Sequence, residues 1–433
     1  MGVRGAALIF TMAIFIAGIF LFAQQSNVIN LNIPAAPVKE EEKKENSAPP
    51  VNGDIPAQPK LADPPEIIKA VYATSWSAAS EKKLNYLINL IRETELNAIV
   101  VDIKDYTGYV IYNTDLELPK KYDAIELRIP RLNKLIKRLH DEKIYVIGRI
   151  SVFQDQRLAL ARPDIALYSS STGMTWKDRK GLMWMDSAAK EVWDYNIAIA
   201  KEILDRGFDE VNFDYIRFAS DGDLSDIRHP VWDEKTLKTH VMRNFYEYIR
   251  ERLPAGDYTV SADLFGLVTV NTDGLGIGQH LEFALPNFDA IAPMTYPSHY
   301  FKNFIGIENP AAKPYEVIKY SMDRGIQRYV ARENALPKIE RIINTTAPDG
   351  SATTTVTYEK QELPSKLRPW FQDFDLGADY DAEMVRAQIR AWEDSSAIAP
   401  KYFGGWMLWN PSNIYTKEAL LPFYQPPAAV PES

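Results

Sequence analysis

From residue 67 onward, short β-branched runs alternate eight times with stretches of helical periodicity, and few folds accept such a pattern. Alternation of this kind implies parallel strands joined by crossover helices, because parallel neighbours need a connection long enough to bring the chain back to the same end of the sheet. The expected strands cover residues 70–74, 97–103, 144–150, 210–215, 258–264, 289–296, 367–374 and 403–409. Helical spacing is clearest at 84–94, 132–142, 188–206, 237–253, 314–324 and 382–395. Eight β/α units predict an α/β fold of the closed (β/α)8 TIM-barrel type rather than an open doubly wound sheet. Two loop insertions interrupt the plain repeat. The first, residues 154–186 after the third strand, belongs to the face that carries active sites. The second, residues 324–366, holds two β-favouring runs (339–346 and 351–359) around Ala347-Pro348-Asp349-Gly350, a turn sequence that predicts a hairpin on the opposite side of the barrel.

The barrel accounts for residues 67–424, and the segments before and after it differ in composition. Residues 6–23 (AALIFTMAIFIAGIFLFA) are apolar and uncharged, and as a helix they would span about 27 Å, close to the hydrocarbon thickness of a bilayer. Leu21-Phe22-Ala23 puts large residues where a cleaved signal peptide has a small one, so residues 1–23 are expected to be an uncleaved signal anchor, a transmembrane helix. Arg4 and the terminal amine on its short side suggest that this side stays in the cytoplasm, although Lys39, Lys43 and Lys44 blunt the asymmetry. The expected localisation is therefore membrane-anchored, with the barrel extracytoplasmic. Residues 24–66, rich in Pro, Ala, Asn and the cluster KEEEKKE, are expected to be a disordered linker, and residues 425–433 a disordered tail.

Charge and residue inventory remove several function classes. The formal net charge of −9 disfavours nucleic acid as a partner, and the absence of cysteine excludes disulfides, thiolate metal sites and cysteine nucleophiles. Neither G-x-S-x-G nor H-E-x-x-H occurs, and Gly274 to Gly278 lacks the dinucleotide fingerprint spacing. The five histidines are scattered, and Asp221, Asp223 and Asp226 could form at most a loose calcium loop. No cofactor and no metal are expected.

In such barrels the chemistry sits at the C-terminal strand ends, where this chain places Asp102, Asp214, Asp263 and Asp373. Side chains alternate along a strand, so Asn212 with Asp214, and Ser261 with Asp263, should face the barrel mouth from adjacent strands. Any one of these carboxylates could merely cap a helix or pair with an arginine; the set favours function. Two carboxyls in an aromatic-lined cleft suit glycoside hydrolysis, in which one protonates the departing oxygen and the other attacks or activates water. Asp214 is the candidate nucleophile or base, paired with Arg149 or Arg217. Asp263 is the candidate acid, its pKa raised by burial and by Asp214. Asp102, Arg149, Trp176, Trp184, Arg217, Tyr296, Asp373 and Trp409 are the expected substrate-binding residues, with Trp176 and Trp184 forming an exposed outer sugar subsite.

The segments VVDIKDYTGYVIY, IYVIGRISVFQD, GFDEVNFDYIRF, APMTYPSHY, LRPWFQDF and GGWMLWN, in this order and spacing, resemble a bacterial glycoside hydrolase family with a (β/α)8 barrel, largely of unknown function. The resemblance implies a sugar-active barrel over residues 68–421. A more distant similarity is to chitinase-type barrels with D-x-x-D-x-D-x-E on the fourth strand. Here Asp209 and Asp214 are kept, Asn212 replaces the middle Asp, and Ile216 stands where that group has its acid Glu. Amylase-type barrels place a nucleophile on strand four and an acid on strand five, which Asp214 and Asp263 mimic. The expectation is a glycosidase acting on a cell-envelope or extracellular polysaccharide or oligosaccharide; the alternative is a non-catalytic carbohydrate-binding barrel tethered to the cell surface.

Overall fold

The structure, a computed structural model, describes residues 53–346 and 352–423. Eight parallel strands close on themselves: β1 (Ile68–Ala73), β2 (Ala98–Lys104), β3 (Tyr145–Ser151), β4 (Glu210–Asp214), β5 (Val260–Phe265), β6 (Ala290–Met294), β7 (Lys366–Leu367 continued by Trp370–Gln372) and β8 (Gly405–Trp409). β8 returns to β1 with Ile68 opposite Gly405 and Val71 opposite Leu408, so the sheet has no free edge. The break in β7 falls at Pro369, which has no N–H to give to a ladder. Each strand expected from the alternation is present, with its ends shifted by a few residues.

Period-two alternation divides the strand side chains between two cores. Val71, Val101, Val146, Val211, Phe213, Val260 and Ala262 point outward into the layer shared with the helices. Ala70, Tyr72, Ala98, Val100, Ile147, Ala292, Trp370 and Met407 fill the lumen. The buried polar residues are unevenly spread: Arg149, Glu210, Asn212, Asp214, Ser261, Asp263 and Arg368 come from β3, β4, β5 and β7, while β2 adds Asp102. The lumen is thus polar along β2 to β5 and again at β7.

Helices Glu81–Glu93, Leu132–Asp141, Lys190–Asp205, Lys238–Arg252, Pro314–Asn334 and Ala382–Ser396 surround the barrel. The return from β5 carries two 3-10 turns, Gly266–Thr269 and Gly274–Gly276, and the single α-helical turn Leu281–Ala284. In Glu81–Glu93 the buried residues Leu84, Leu87, Ile88 and Ile91 recur at helical spacing, and the side chain of Ser80 accepts from the N–H of Lys83 at the first turn. Helix Pro314–Asn334 continues well past 324, where the periodicity weakens, so the second insertion begins after Asn334 and not at Arg324. Tertiary contacts sustain the added turns: Ile326 and Tyr329 are in the core, and Glu333 accepts from the Tyr402 hydroxyl (2.8 Å) and pairs with Lys401 (2.7 Å). Strands Ile339–Thr346 and Ala352–Glu359 pair antiparallel with Ile342 opposite Val356; the turn expected at 347–350 lies outside the described residues.

The end of the expected linker is docked on the barrel. Asp54 accepts from the backbone N–H groups of Asn133 (2.9 Å) and Lys134 (3.1 Å), capping a helix whose own N-terminus has no side-chain cap. The N–H of Gln58 donates to Arg206 O (3.0 Å) and that of Leu61 to Asp209 Oδ1 (2.7 Å). Gly207, at φ +112°, makes this approach possible, since a Cβ there would lie 2.4 Å from Gln58 O. Leu61 packs on the lumen cluster. The apolar run at 6–23, the linker up to residue 52 and the tail at 425–433 lie outside the described residues. Among the described residues no helix is long and apolar enough to cross a membrane.

Candidate active site

At the C-terminal ends of β2, β3, β4 and β5, one guanidinium gathers three carboxyls. Arg149 Nη1 reaches Asp102 Oδ1 at 2.6 Å, Nη2 reaches Asp214 Oδ2 at 2.5 Å, and Nε lies 3.1 Å from Asp214 Oδ2 and 3.8 Å from Asp263 Oδ2. The shared Nε limits the separation of the Asp214 and Asp263 oxygens to about 7 Å, close to the spacing of working carboxyl pairs in glycosidases. The β2–β3 register shifts between Asp102 and Lys104, a bulge beside the site.

Each carboxyl has a distinct environment. Asp102 Oδ2 accepts from the Tyr72 hydroxyl at 2.5 Å; burial pushes its pKa up, against Arg149 and Tyr72. Asp214 Oδ1 accepts from the N–H of Tyr215 (2.5 Å), a residue held at φ +52°, which is strained for an aromatic side chain and turns the chain sharply at the strand end. Asp263 is 1% exposed, and its Oδ1 accepts from both Trp370 Nε1 (2.7 Å) and Asn212 Nδ2 (2.9 Å). Burial and the charge of Asp214 push its pKa up to about 8, against the pull of Arg149, Trp370 and Asn212. Because two donors occupy Oδ1, a proton on this carboxyl sits on Oδ2, the oxygen that faces Arg149 and Asp214. Trp409 stacks on Tyr72 (3.8 Å between centroids, 13° between planes), Trp370 meets it edge-on at 5.6 Å, and the guanidinium of Arg149 lies 5.1 Å from its ring.

Below this layer a second polar group fills the lumen. Arg368 clamps Glu210 through both terminal nitrogens, and Glu210 also accepts from Ser261 Oγ (2.5 Å) and Tyr145 OH (3.3 Å). Asn212 links the layers, with its Nδ2 3.1 Å from Ser261 Oγ and 2.9 Å from Asp263 Oδ1.

Of the residues expected at the site, Asp102, Arg149, Asp214, Asp263 and Trp409 come together, and Tyr296 is buried among the lumen side chains, its ring against Phe374 and His299. The others do not join them. Arg217 turns to Phe218 O and Ser220 Oγ (3.0 Å each) and lies against Trp184 and Phe265, so of the two arginines it is Arg149 that pairs with Asp214. Asp373 accepts from the N–H (2.9 Å) and hydroxyl (2.7 Å) of Thr416 and holds a loop. Asp209 lies at the opposite end of β4, bound to the N–H groups of Leu61 and Val146 and to His140, and Ile216 is buried in the outer core.

The exposed platform expected at Trp176 and Trp184 is absent. Trp184 is 1% exposed, donates to Asp178 Oδ2 (3.1 Å) and packs on Tyr215; Trp176 is 3% exposed and donates to Asp223 O (3.1 Å). The loop folds back onto the barrel, and these indoles join the outer core it shares with the helices. Trp184→Ala should cost about 3–5 kcal/mol of stability, seen as a lower denaturant midpoint. Unchanged stability with weakened glycan binding would restore the platform reading. A cavity of about 480 Å³ between these loops, lined by Leu160, Met174, Trp176, Met183, Asp223 and Asp226, contains none of the central carboxyls. Among the described residues no three or more His, Asp or Glu side chains are arranged to hold a metal ion.

Sequence reading missed Tyr72 and the Glu210–Arg368 pair, although alternation with Ala70, Asp214 and Trp370 respectively would have turned each inward.

Comparison with known proteins follows the same outline. The family model described as "Putative glycosyl hydrolase domain" matches residues 70–341 and 340–415. Among solved structures, a hypothetical protein from Ruminiclostridium thermocellum ATCC 27405 is 36% identical over 45% of this chain and 96% of its own, with a TM-score of 0.41. The PgaB (BpsB) glycoside hydrolase domain from Bordetella bronchiseptica is 13% identical, covering 82% of this chain and 99% of its own, with a TM-score of 0.53, a likeness of fold. A GH18 chitinase from Pseudoalteromonas aurantia is 13% identical over 80% of this chain and 94% of its own, with a TM-score of 0.41. No curated protein matches the chain.

Proposed function

Because the chain belongs to this glycosyl hydrolase domain family, matched over most of its length, we propose that it is a glycosidase hydrolysing O-glycosyl bonds through Asp214 and Asp263. The observation that carries the proposal is the pair itself: two carboxyls on one guanidinium, of which Asp263 holds a proton up to about 8. Asp263 donates that proton from Oδ2 to the departing glycosidic oxygen, and Asp214, paired with Arg149, faces the developing positive charge at the anomeric carbon. A separation of at most about 7 Å is compatible both with direct attack by Asp214, followed by hydrolysis of the glycosyl intermediate, and with activation of a water by Asp214. Asp102 and Tyr72 hold the far side of Arg149 and so set the direction of its fork.

The proposed substrate is a cell-envelope or extracellular polysaccharide. That placement rests on the apolar run at 6–23 as an anchor with the barrel outside. Protease added to intact cells with a permeable outer envelope should digest the barrel; full protection would reverse the placement. The second reading, a non-catalytic carbohydrate-binding barrel, is favoured by one observation, the enclosure of Asp263 beneath Trp370 and Asn212. Incubating the full chain with a panel of polysaccharides and measuring new reducing ends separates the two. Cleavage supports the glycosidase, and retention without cleavage across the panel supports the binding barrel.

A further inference from the structure

The lumen site has a floor, but the residues expected to form its outer sugar platform are buried. The exposed aromatic surface of the mouth lies elsewhere. Trp76 follows the C-terminal end of β1 and is 60% exposed; Tyr106 follows the end of β2 and is 48% exposed. Both sit on the same face as Asp102 and Asp214, since each comes just after its strand. Large rings left this open on a soluble surface lose burial energy unless something covers them in use.

One buried side chain covers the Trp76 ring and binds the residues on either side of Tyr106. The Arg128 guanidinium lies 4.9 Å from the Trp76 ring centroid and covers one of its faces. Arg128 Nη1 donates to Ser75 Oγ (3.1 Å) and to Asp105 Oδ2 (2.6 Å); Nη2 reaches Thr107 Oγ1 (3.5 Å), and Nε binds Glu126 Oε2 (2.8 Å). Ser75 precedes Trp76, and Asp105 and Thr107 flank Tyr106. One cation therefore fixes the backbone on which both rings are mounted. A flat, pre-set ring with one face backed by charge and its remainder open to solvent is what an apolar pyranose face stacks on at small entropic cost.

We propose that Trp76 and Tyr106 form an aromatic shelf that binds sugar units of a glycan whose scissile bond lies at Asp214 and Asp263, and that this glycan is neutral or carries amino sugars rather than uronates. The proposal rests on the glycosidase reading for the position of the bond. Electrostatics sets the glycan class: Asp102 and Asp214 share Arg149 in the mouth, Asp105 and Glu126 share Arg128 beside the shelf, so carboxylates outnumber cations in each group, and the whole chain carries −9; a polyanion is repelled on approach.

Affinity electrophoresis tests it with the full chain in mild non-ionic detergent, in native gels containing hydroxyethyl cellulose, glycol chitosan or polygalacturonate. Retardation is expected in at least one of the first two gels and not in the third. Trp76→Ala and Tyr106→Ala should each weaken retention about five- to tenfold, and Trp76→Phe should restore part of it. Both alanine variants should stay close to the melting temperature of the parent, because Trp76 is 60% and Tyr106 48% exposed. Retention unaffected by either alanine change, or retention in none of the gels, overturns the shelf; equal retention by polygalacturonate overturns the glycan class. The gels read binding alone, so a chain that is retained through Trp76 yet releases no reducing ends defeats the glycosidase reading and leaves the shelf standing.

Discussion

Asp263→Asn is expected to lower glycan cleavage by about a hundredfold or more while making the folded barrel more stable at neutral pH. The two effects share one cause. Unfolded, this carboxyl ionises near its ordinary value of 3.8; folded, it keeps its proton up to about 8, chiefly because it is buried and next because Asp214 is close. Between those values folding takes up a proton, so the contribution of Asp263 to stability falls as pH rises and levels off above about 8. Asparagine fills the same space, presents its carbonyl oxygen to Trp370 and Asn212, and has no proton to lose. The variant should therefore match the parent near pH 4 and exceed it at pH 8 by as much as roughly 5 kcal/mol in urea unfolding. Activity of the parent should fall as pH rises through about 8, where the acid form is lost. Near-normal cleavage by Asp263→Asn would remove Asp263 from the chemistry; lost activity without the pH-dependent gain in stability would mean that the carboxyl is ionised in the folded protein.

Arg149→Met should lower stability by about 3–5 kcal/mol, because it leaves Asp102, Asp214 and Asp263 buried with no cation among them. Removing one partner of a buried ion pair costs more than the pair contributes, since the remaining charge has neither water nor counter-ion. The penalty should shrink in acid, where the carboxyls can take up protons, so the urea midpoints of variant and parent should converge toward pH 4. Arg149→Lys should recover part of the stability, because one ammonium can meet one carboxylate but cannot span Asp102 and Asp214 as the fork does. A variant as stable as the parent at pH 7 would show that Arg149 does not hold this cluster together.

The division between what was legible in the chain and what was not follows the range of the interactions. The barrel and the inward direction of Asn212, Asp214, Ser261 and Asp263 depend on period-two and 3.6-residue patterns within single elements, and these can be read without knowing any neighbour. The raised pKa of Asp263 was legible for the same reason: two inward carboxyls on adjacent strands of a packed lumen must come close and be dry. Helix Pro314–Asn334 outran its pattern because contacts with Tyr402 and Lys401, distant in sequence, support its last turns. Tertiary structure alone chose Arg149 over Arg217, since both are near Asp214 in sequence or on a neighbouring strand, and only packing against Trp184 and Phe265 turns Arg217 away. It likewise buried Trp176 and Trp184 while leaving Trp76 open, and it docked residues 54–61 in a stretch whose composition reads as a tether. Loops carry no repeating pattern; which side of a loop tryptophan meets water is decided by where the rest of the chain lies, and that information is spread over residues well beyond any one element.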